Sequence, residues 1–151
     1  MKISDSLVVD YPVQRVWDLL QDPRRSAAAM PGVQSLEVVD DTTFTAVVAQ
    51  RVGLFRTQFD LSLSLTEVDP PRRLVATGQG KEAGGSLLKV SSAVIELEVL
   101  AEDRTRLSFE IDFSLLGKLG TLGYPVVKHK AGDMARQFAD NLRKEMEDEL
   151  H

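Results

Sequence analysis

Apolar residues recur with the period of a helix only towards the end of the chain. From about Lys118 to Glu149 they fall at steps of three, four and eight residues, which places them on one side of a single long helix. The members of this stripe are Leu119, Leu122, Val126, Met134, Phe138, Leu142 and Met146. So long a stripe must be covered, and the preceding strands are the only candidates. The pattern therefore predicts a curved sheet closed over this helix.

Ahead of the helix the period changes to two, which is typical of strands with one buried face. Six strands joined by short turns are predicted at 33–39, 43–51, 54–67, 72–78, 86–100 and 104–114, with a flexible loop at 80–85. A further strand at 2–10 precedes two short helices near 13–20 and 24–29. Short links predict an antiparallel meander. The expected fold class is therefore α+β, a curved seven-stranded antiparallel sheet wrapped around a long C-terminal helix, with two short helices between strands 1 and 2.

The beginning of the last helix contains residues that weaken helices. Gly117, Gly120 and Gly123 recur every three residues, and Pro125 follows them. An interior glycine costs about 1 kcal/mol relative to alanine, and an interior proline about 3 kcal/mol. Two interpretations remain open: close packing of small residues on the sheet, or a movable cavity wall in which Gly120, Gly123 and Pro125 form a gate. The gate hypothesis predicts that Gly120→Ala combined with Gly123→Ala slows ligand exchange.

Composition narrows the class of protein. The 151 residues include no cysteine, and no linker or repeat divides them, so we expect one domain over 1–151 without disulfides or thiolate metal sites. The net charge is −5 and no more than two basic residues adjoin, which argues against nucleic acid as a partner. No apolar run approaches the roughly 20 residues of a membrane span, and the first residues lack the apolar core of a signal peptide. We therefore expect a cytoplasmic protein.

Residues suited to catalysis are sparse. His129 lies between two lysines of the last helix, which predicts a solvated side chain or, alternatively, a polar contact at a cavity rim. No metal-ligand spacing is found, so we expect no metal, no cofactor and no catalytic residue. Two carboxylate pairs could in principle exchange protons, namely Glu96 with Glu98 and Glu110 with Asp112. Each pair lies on the polar face of an alternating strand, which favours solvent exposure.

The inner faces of the predicted sheet and helix are almost entirely apolar. Such faces can form a ligand pocket or a dry core, but a meander curled around one helix encloses more volume than its side chains readily fill. The expected cavity wall comprises Phe59, Leu61, Ile95, Phe109, Ile111, Phe113, Leu119, Leu122, Val126 and Met134. The expected rim comprises Met30, Leu54, Phe55, Lys89 and Ser91. The last two share the inner face by strand parity unless a bulge shifts the register, and Trp17 is expected in the core.

Several segments together resemble a known family. They are the opening MKISDSLVV, the helix YPVQRVWDLLQDP, the MPGV turn followed by SLE, the RVGLF hairpin, LTEVDPPRRL with the TGQGKEAG loop, and FSLLGKLGTLG leading into DMARQFADNL. With these segments the chain resembles the helix-grip superfamily of START lipid-transfer domains, birch-pollen-allergen-like proteins and polyketide cyclases. Within that superfamily it is most similar to the CoxG family of carbon monoxide dehydrogenase subunits. The resemblance implies a sheet that grips the last helix around an apolar cavity.

The resemblance also implies a role and partners. Members of this family accompany molybdenum-containing carbon monoxide dehydrogenases and help to connect them with the membrane, with a quinone or isoprenoid lipid as the ligand. Many carry a C-terminal tail for membrane attachment, whereas this chain stops near the end of the predicted helix, which argues against direct anchoring. We therefore expect a non-catalytic binding protein, cytoplasmic or peripheral at the inner face of the membrane. Two alternatives remain: a polyketide cyclase or dehydratase-like enzyme on the same fold, and an assembly factor with a filled core.

Overall fold

Seven strands and three α-helices make up residues 1–148, the part of the chain that the computed structural model describes. The strands are β1 Lys2–Val9, β2 Val33–Val38, β3 Thr43–Val52, β4 Phe55–Asp69, β5 Arg73–Glu82, β6 Leu87–Ala101 and β7 Arg104–Leu116. The helices are α1 Val13–Gln21, α2 Pro23–Ala29, a 3-10 helix Leu119–Leu122 and α3 Tyr124–Asp148. The predicted last residue of the helix, Glu149, lies outside the described residues. None of the described helices is both long and apolar enough to cross a membrane.

All seven strands form one antiparallel sheet in the order β1-β7-β6-β5-β4-β3-β2. Strands β2 to β7 pair with their neighbours in sequence, as short links require, and β1 closes on β7 because the two short helices carry the chain across to the opposite edge. The predicted fold class is confirmed. Directly paired residues of antiparallel strands point to the same face, so the register identifies an inner face that meets α3 and an outer face.

Strand β5 is longer than the sequence predicts. It continues to Glu82, and Gly80 is paired with Leu61 and with Leu88, so the first half of the predicted loop at 80–85 is strand. The prediction was wrong because glycine was taken as a loop signal. On the inner face, a Cβ on Gly78 would lie 2.5 Å from Leu63 Cδ2, and a Cβ on Gly80 would overlap Leu61 Cδ2. The glycines therefore mark close side-chain approach within a strand.

A β-bulge in β6 reverses the predicted orientation of two rim residues. The register with β7 shifts between Val90 and Ser92, which leaves Ser91 unpaired and exposed. Beyond this point Lys89 is paired with Ser114 on the outer face, and Val90 takes the inner position. The placement of Lys89 and Ser91 at the inner rim was therefore wrong, because one extra residue exchanges the two faces of a strand.

The last helical region is interrupted where the sequence predicts one continuous helix. The 3-10 helix ends at Gly123, whose φ of 95° and ψ of 155° belong to a region that only glycine adopts readily. Helix α3 then begins at Tyr124, so Pro125 occupies its first turn, where a missing N–H costs nothing. Pro125 is therefore not an interior proline that weakens the helix. Its assignment to the gate depended on such weakening and is corrected here.

The buried apolar residues form two separate clusters. The larger one joins α1, α2 and the second half of α3 to one end of the sheet, and Trp17 is at its centre with 2% of its surface exposed, as predicted. Its other members include Leu19, Leu20, Leu97, Leu107, Leu142 and Met146. The smaller cluster lies where the β3–β4 hairpin meets the 3-10 helix and consists of Val52, Phe59 and Leu119. The centre of the inner face lies between these two clusters.

Candidate ligand-binding site

The inner face between the two clusters is lined by apolar side chains that keep part of their surface accessible. They come from five strands and from the side of α3 that faces the sheet. They are Phe44, Leu61, Leu63, Ala76, Val90, Ala93, Ile95, Ile111, Met134 and Phe138, all of them half-buried. A central strand covered by a helix normally buries such residues fully. Their residual exposure indicates open space between the sheet and the first half of α3.

One aromatic contact bounds this space towards the larger cluster. The ring of Phe138 on α3 meets the ring of Phe109 on β7 edge to face, with centroids 6.2 Å apart. Phe109 keeps only 6% of its surface exposed and belongs to the larger cluster. Helix α3 therefore packs tightly on the sheet at its second half, and the half-buried residues follow towards its N-terminal half.

The sequence-predicted wall residues fall into three groups. Five are half-buried on the inner side of the fold: Leu61, Ile95, Ile111, Leu122 and Met134. Four are buried: Phe59, Phe109, Phe113 and Leu119. Three of these four belong to the two clusters, so they bound the open space at its ends. The inner-face positions of the strand residues follow the predicted parity, and their role in binding a ligand stays a prediction.

Val126 lies elsewhere than predicted. It is 40% exposed, and its Cγ1 would be 4.0 Å from a Cβ on Gly53 at the tip of the β3–β4 hairpin. The next residue, Val127, is buried instead, with 5% exposed. The helical phase was counted from Lys118, but α3 starts only at Tyr124, after the break. The buried position at the start of α3 is therefore one residue later than predicted, whereas Leu142 and Met146 of the predicted stripe are fully buried.

The remaining rim residues lie at turns, as the sequence indicates. Met30 follows α2 and is half-buried, whereas Leu54 at the hairpin tip is 89% exposed. Phe55 is half-buried against the smaller cluster, and the ammonium of Lys118 lies 4.6 Å from the centroid of its ring. This cation–π contact ties the hairpin to the segment that precedes the 3-10 helix.

Two backbone contacts hold the 3-10 helix in place. Gly120 lies so close to the end of β7 that a Cβ there would collide with the carbonyl oxygen of Leu115. The backbone N–H of Leu119 donates a hydrogen bond of 3.0 Å to the hydroxyl of Ser86, which is fully buried. The glycine therefore serves close packing, the first of the two interpretations that the sequence left open. A role of this segment as a movable wall is compatible with the same geometry.

The interior offers little for acid–base or metal chemistry. The clear pKa displacements occur at exposed groups: a hydrogen bond to Glu110 raises the pKa of Lys2, the N–H of Thr42 lowers that of Asp40, and a hydrogen bond to a neighbouring aspartate raises that of Arg72. No cluster of three or more potential metal ligands occurs among residues 1–148. Perturbed titratable groups inside a cleft are typical of active sites, whereas the three side chains with displaced pKa values lie at exposed positions.

Two polar side chains of the inner face are hydrogen-bonded within the fold. Glu82 is paired with Phe59 on the inner face, and its Oε2 accepts a hydrogen bond of 3.3 Å from the backbone N–H of Ser86. The hydroxyl of Thr57 donates to the carbonyl oxygen of Gln50 at 2.7 Å. Every buried polar side-chain atom among the described residues has a hydrogen-bond partner. The site is therefore suited to an apolar ligand.

A second concavity lies on the opposite side of the sheet. It is a half-open groove of about 850 Å³ on the outer face, and Val47, Leu87, Lys89 and Leu116 contribute to it. Leu87 and Leu116 remain 46% and 60% exposed. Because none of the described helices covers this groove, it cannot remove a long apolar ligand from water as fully as the space beneath α3 can.

Some of the inner-face residues were not predicted as wall residues. Leu63 and Ala93 share strand parity with Leu61 and Ile95, so the alternation alone could have identified them. Val90 could not have been found in this way because the bulge moves it to the inner face. Phe44 lies opposite Leu63 in the register of β3 with β4, which the sequence does not give residue by residue.

Comparison with known proteins agrees with this geometry. The model of the CoxG family of carbon monoxide dehydrogenase subunits matches residues 6–147. No curated protein sequence matches the chain.

Solved structures show the same fold at low identity. A conserved protein from Geobacillus kaustophilus is similar with a TM-score of 0.90 and 20% identity, over 98% of this chain and 96% of that one. A START superfamily protein from Mycobacterium smegmatis gives a TM-score of 0.77 at 14% identity, over 97% of both chains. The Zhui aromatase/cyclase from Streptomyces sp. R1128 gives 0.76 at 14% identity, over 100% of this chain and 96% of that one.

Proposed function

Because the chain belongs to the CoxG family of carbon monoxide dehydrogenase subunits, we propose that it is a non-catalytic protein that binds a quinone or another isoprenoid lipid between its sheet and α3. The observation that carries this proposal is the half-buried apolar surface of the inner face between the two clusters. Each 100 Å² of apolar ligand surface removed from water there contributes about 2.5 kcal/mol. A ligand that extends from Ile111 towards Leu61 would contact four strands and α3.

The partner follows from the family and not from the site. We propose that the chain serves as an accessory protein to a molybdenum-containing carbon monoxide dehydrogenase, in the cytoplasm or at the inner face of the membrane. The enzyme alternative on this fold, a cyclase or dehydratase, is not favoured, since the half-buried side chains that line the open space are apolar. General acid–base catalysis needs a group that can reach the substrate.

Native mass spectrometry tests the ligand directly. Protein purified from its own cells is expected to carry an added mass that fits an isoprenoid lipid, and organic extraction should remove this mass. The extracted protein should regain it from detergent micelles that contain an isoprenoid quinone. A protein that keeps its circular dichroism spectrum but takes up no quinone from the micelles would contradict the proposal.

A further inference from the structure

Two stretches of the chain differ in charge from all the rest. The stretches 43–59 and 113–132 contain five lysines and arginines and no aspartate or glutamate. The remainder of the chain holds the other 13 basic residues against all 23 acidic ones, which gives it a net charge of −10. The protein is thus more strongly acidic over most of its chain than its total charge of −5 suggests, and cationic in these two stretches.

The fold brings the two cationic stretches together. Lys118 lies over the ring of Phe55, and a Cβ on Gly53 would be 3.8 Å from Leu122 Cδ1, so the β3–β4 hairpin tip adjoins the 3-10 helix. Lys128, in the first turns of α3, lies 5.4 Å from the ring centroid of Tyr124. We call this surface the basic end. It consists of Arg51, Leu54, Arg56, Lys118, Tyr124, Val126, Lys128 and Lys130.

The basic end also exposes apolar residues. Leu54 is 89% exposed at the hairpin tip, and Tyr124 and Val126 are 53% and 40% exposed beside it. A leucine left almost wholly in water at the tip of a tight hairpin contributes nothing to the core. Apolar residues grouped within a ring of charges mark surfaces that contact a partner.

The cations of the basic end have no acidic partners among residues 1–148. None of its arginines and lysines lies within 4.0 Å of a carboxylate in this part of the chain. Two cations of the outer sheet face, in contrast, are paired, namely Lys2 with Glu110 at 3.1 Å and Arg106 with Glu98 at 2.9 Å. The positive charge of the basic end is thus available to an anionic partner.

We propose that the basic end docks on an anionic lipid surface, with Leu54, Tyr124 and Val126 entering the interface and the lysines and arginines lying at the headgroups. Three of the five cations are lysines, which are depleted at protein–protein interfaces but reach lipid headgroups with long flexible stems. Tyrosine is enriched at the membrane interface for the same amphipathic reason. These features favour a bilayer over an acidic protein as the occupant.

This inference rests on the proposed function because the basic end adjoins the proposed site. The 3-10 helix joins it to the smaller cluster, and Leu119 and Leu122 belong to both the wall and this segment. With the basic end on a bilayer, an apolar ligand would pass between membrane and inner face without crossing water. Docking thereby assigns the membrane as the source or the acceptor of the ligand.

Vesicle sedimentation tests the docking surface. The protein is expected to sediment with phosphatidylcholine vesicles that contain phosphatidylglycerol, to stay in solution with phosphatidylcholine alone, and to be released by salt. Lys128→Gln and Lys130→Gln should each lower the partition coefficient roughly fivefold, and Leu54→Ser should lower it roughly tenfold. Lys144→Gln at the far end of α3 and Val99→Ser, which replaces a valine 60% exposed on β6, are the matched controls and should sediment like the parent protein.

The outcomes separate the docking surface from the ligand site. Uptake of quinone from micelles is measured on the same preparations, and it should be unchanged in Leu54→Ser and in Lys128→Gln. If the parent protein took up quinone but did not sediment with anionic vesicles, the docking inference alone would be overturned. If the partition coefficient fell equally in the controls and in the basic-end variants, the docking inference would be overturned too. Vesicle binding without quinone uptake would support docking and contradict the proposed function.

Discussion

Replacing Ala93 by Phe is expected to abolish most ligand binding without destabilising the fold. Ala93 is half-buried on the inner face of central strand β6, opposite Ala76 and Ile111, beneath the first half of α3. A phenyl ring there would occupy the volume of roughly three methylene groups of the ligand, which costs about 2 kcal/mol and raises the Kd roughly thirtyfold. Titration of the extracted protein with an isoprenoid quinone measures this change.

The same variant distinguishes an open space from a filled core. In a filled core the added ring would force neighbouring side chains apart and lower the free energy of unfolding by about 1–3 kcal/mol. In an open space it gains apolar contacts, so the unfolding midpoint in urea should stay equal or rise. Val94→Phe is the matched control because Val94 is paired with Val75 and Glu110 on the outer face. A large loss of stability in Ala93→Phe, with ligand affinity unchanged, would contradict the proposed site.

The Gly120→Ala and Gly123→Ala double variant is expected to accelerate ligand exchange. The sequence alone predicts the opposite, because alanine stiffens a helix. In the structure a Cβ on Gly120 would collide with the carbonyl oxygen of Leu115, and Gly123 has a φ of 95° that alanine adopts only at a cost of about 1–3 kcal/mol. The substitutions should therefore displace the 3-10 helix from β7, and a shift of about 2 kcal/mol corresponds to a roughly thirtyfold change in the open population.

Stopped-flow transfer of a fluorescent quinone analogue to vesicles measures the exchange rate. Gly132→Ala is the matched control, since a Cβ there meets only Arg136 Nη1 at an ordinary 3.6 Å in the interior of α3. It should stabilise the helix by about 1 kcal/mol and leave the exchange rate unchanged. Ser86→Ala removes the acceptor of the Leu119 N–H without adding an atom, and it should accelerate exchange as well. If the double variant exchanged ligand more slowly than the parent protein, this prediction would be contradicted and the sequence-based gate hypothesis would be supported.

The pattern of residue types along the chain was sufficient to predict the architecture. The alternation in 54–67 predicts a strand with Phe59 and Leu61 inward, and the short links then leave an antiparallel meander as the simplest topology. Trp17 could be placed in the core because a large apolar residue on a short amphipathic helix has to be covered. These conclusions depend on averages over many positions, so a single irregularity does not change them.

The sequence could not predict which face each individual side chain occupies. The extra residue at Ser91 exchanges the inner and outer faces of β6 only on the N-terminal side of the bulge. None of the residue types in Val90–Ser92 predicts a bulge there. Glycine was ambiguous in the same way: Gly80 permits close packing inside β5, whereas Gly123 ends the 3-10 helix through its positive φ. The break at Gly123 in turn places Val126 outward. Such details depend on contacts between distant segments, as with Gly120 and Leu115.

Crystals of the protein with a brominated isoprenoid quinone would show where the ligand binds. Anomalous scattering locates the bromine atoms without reference to the rest of the ligand. We expect bromine peaks between the inner face and α3, within contact of Ala93, Ile111 and Met134. Peaks confined to the groove on the outer face, with those three side chains packed against one another and no space between them, would contradict the proposed site.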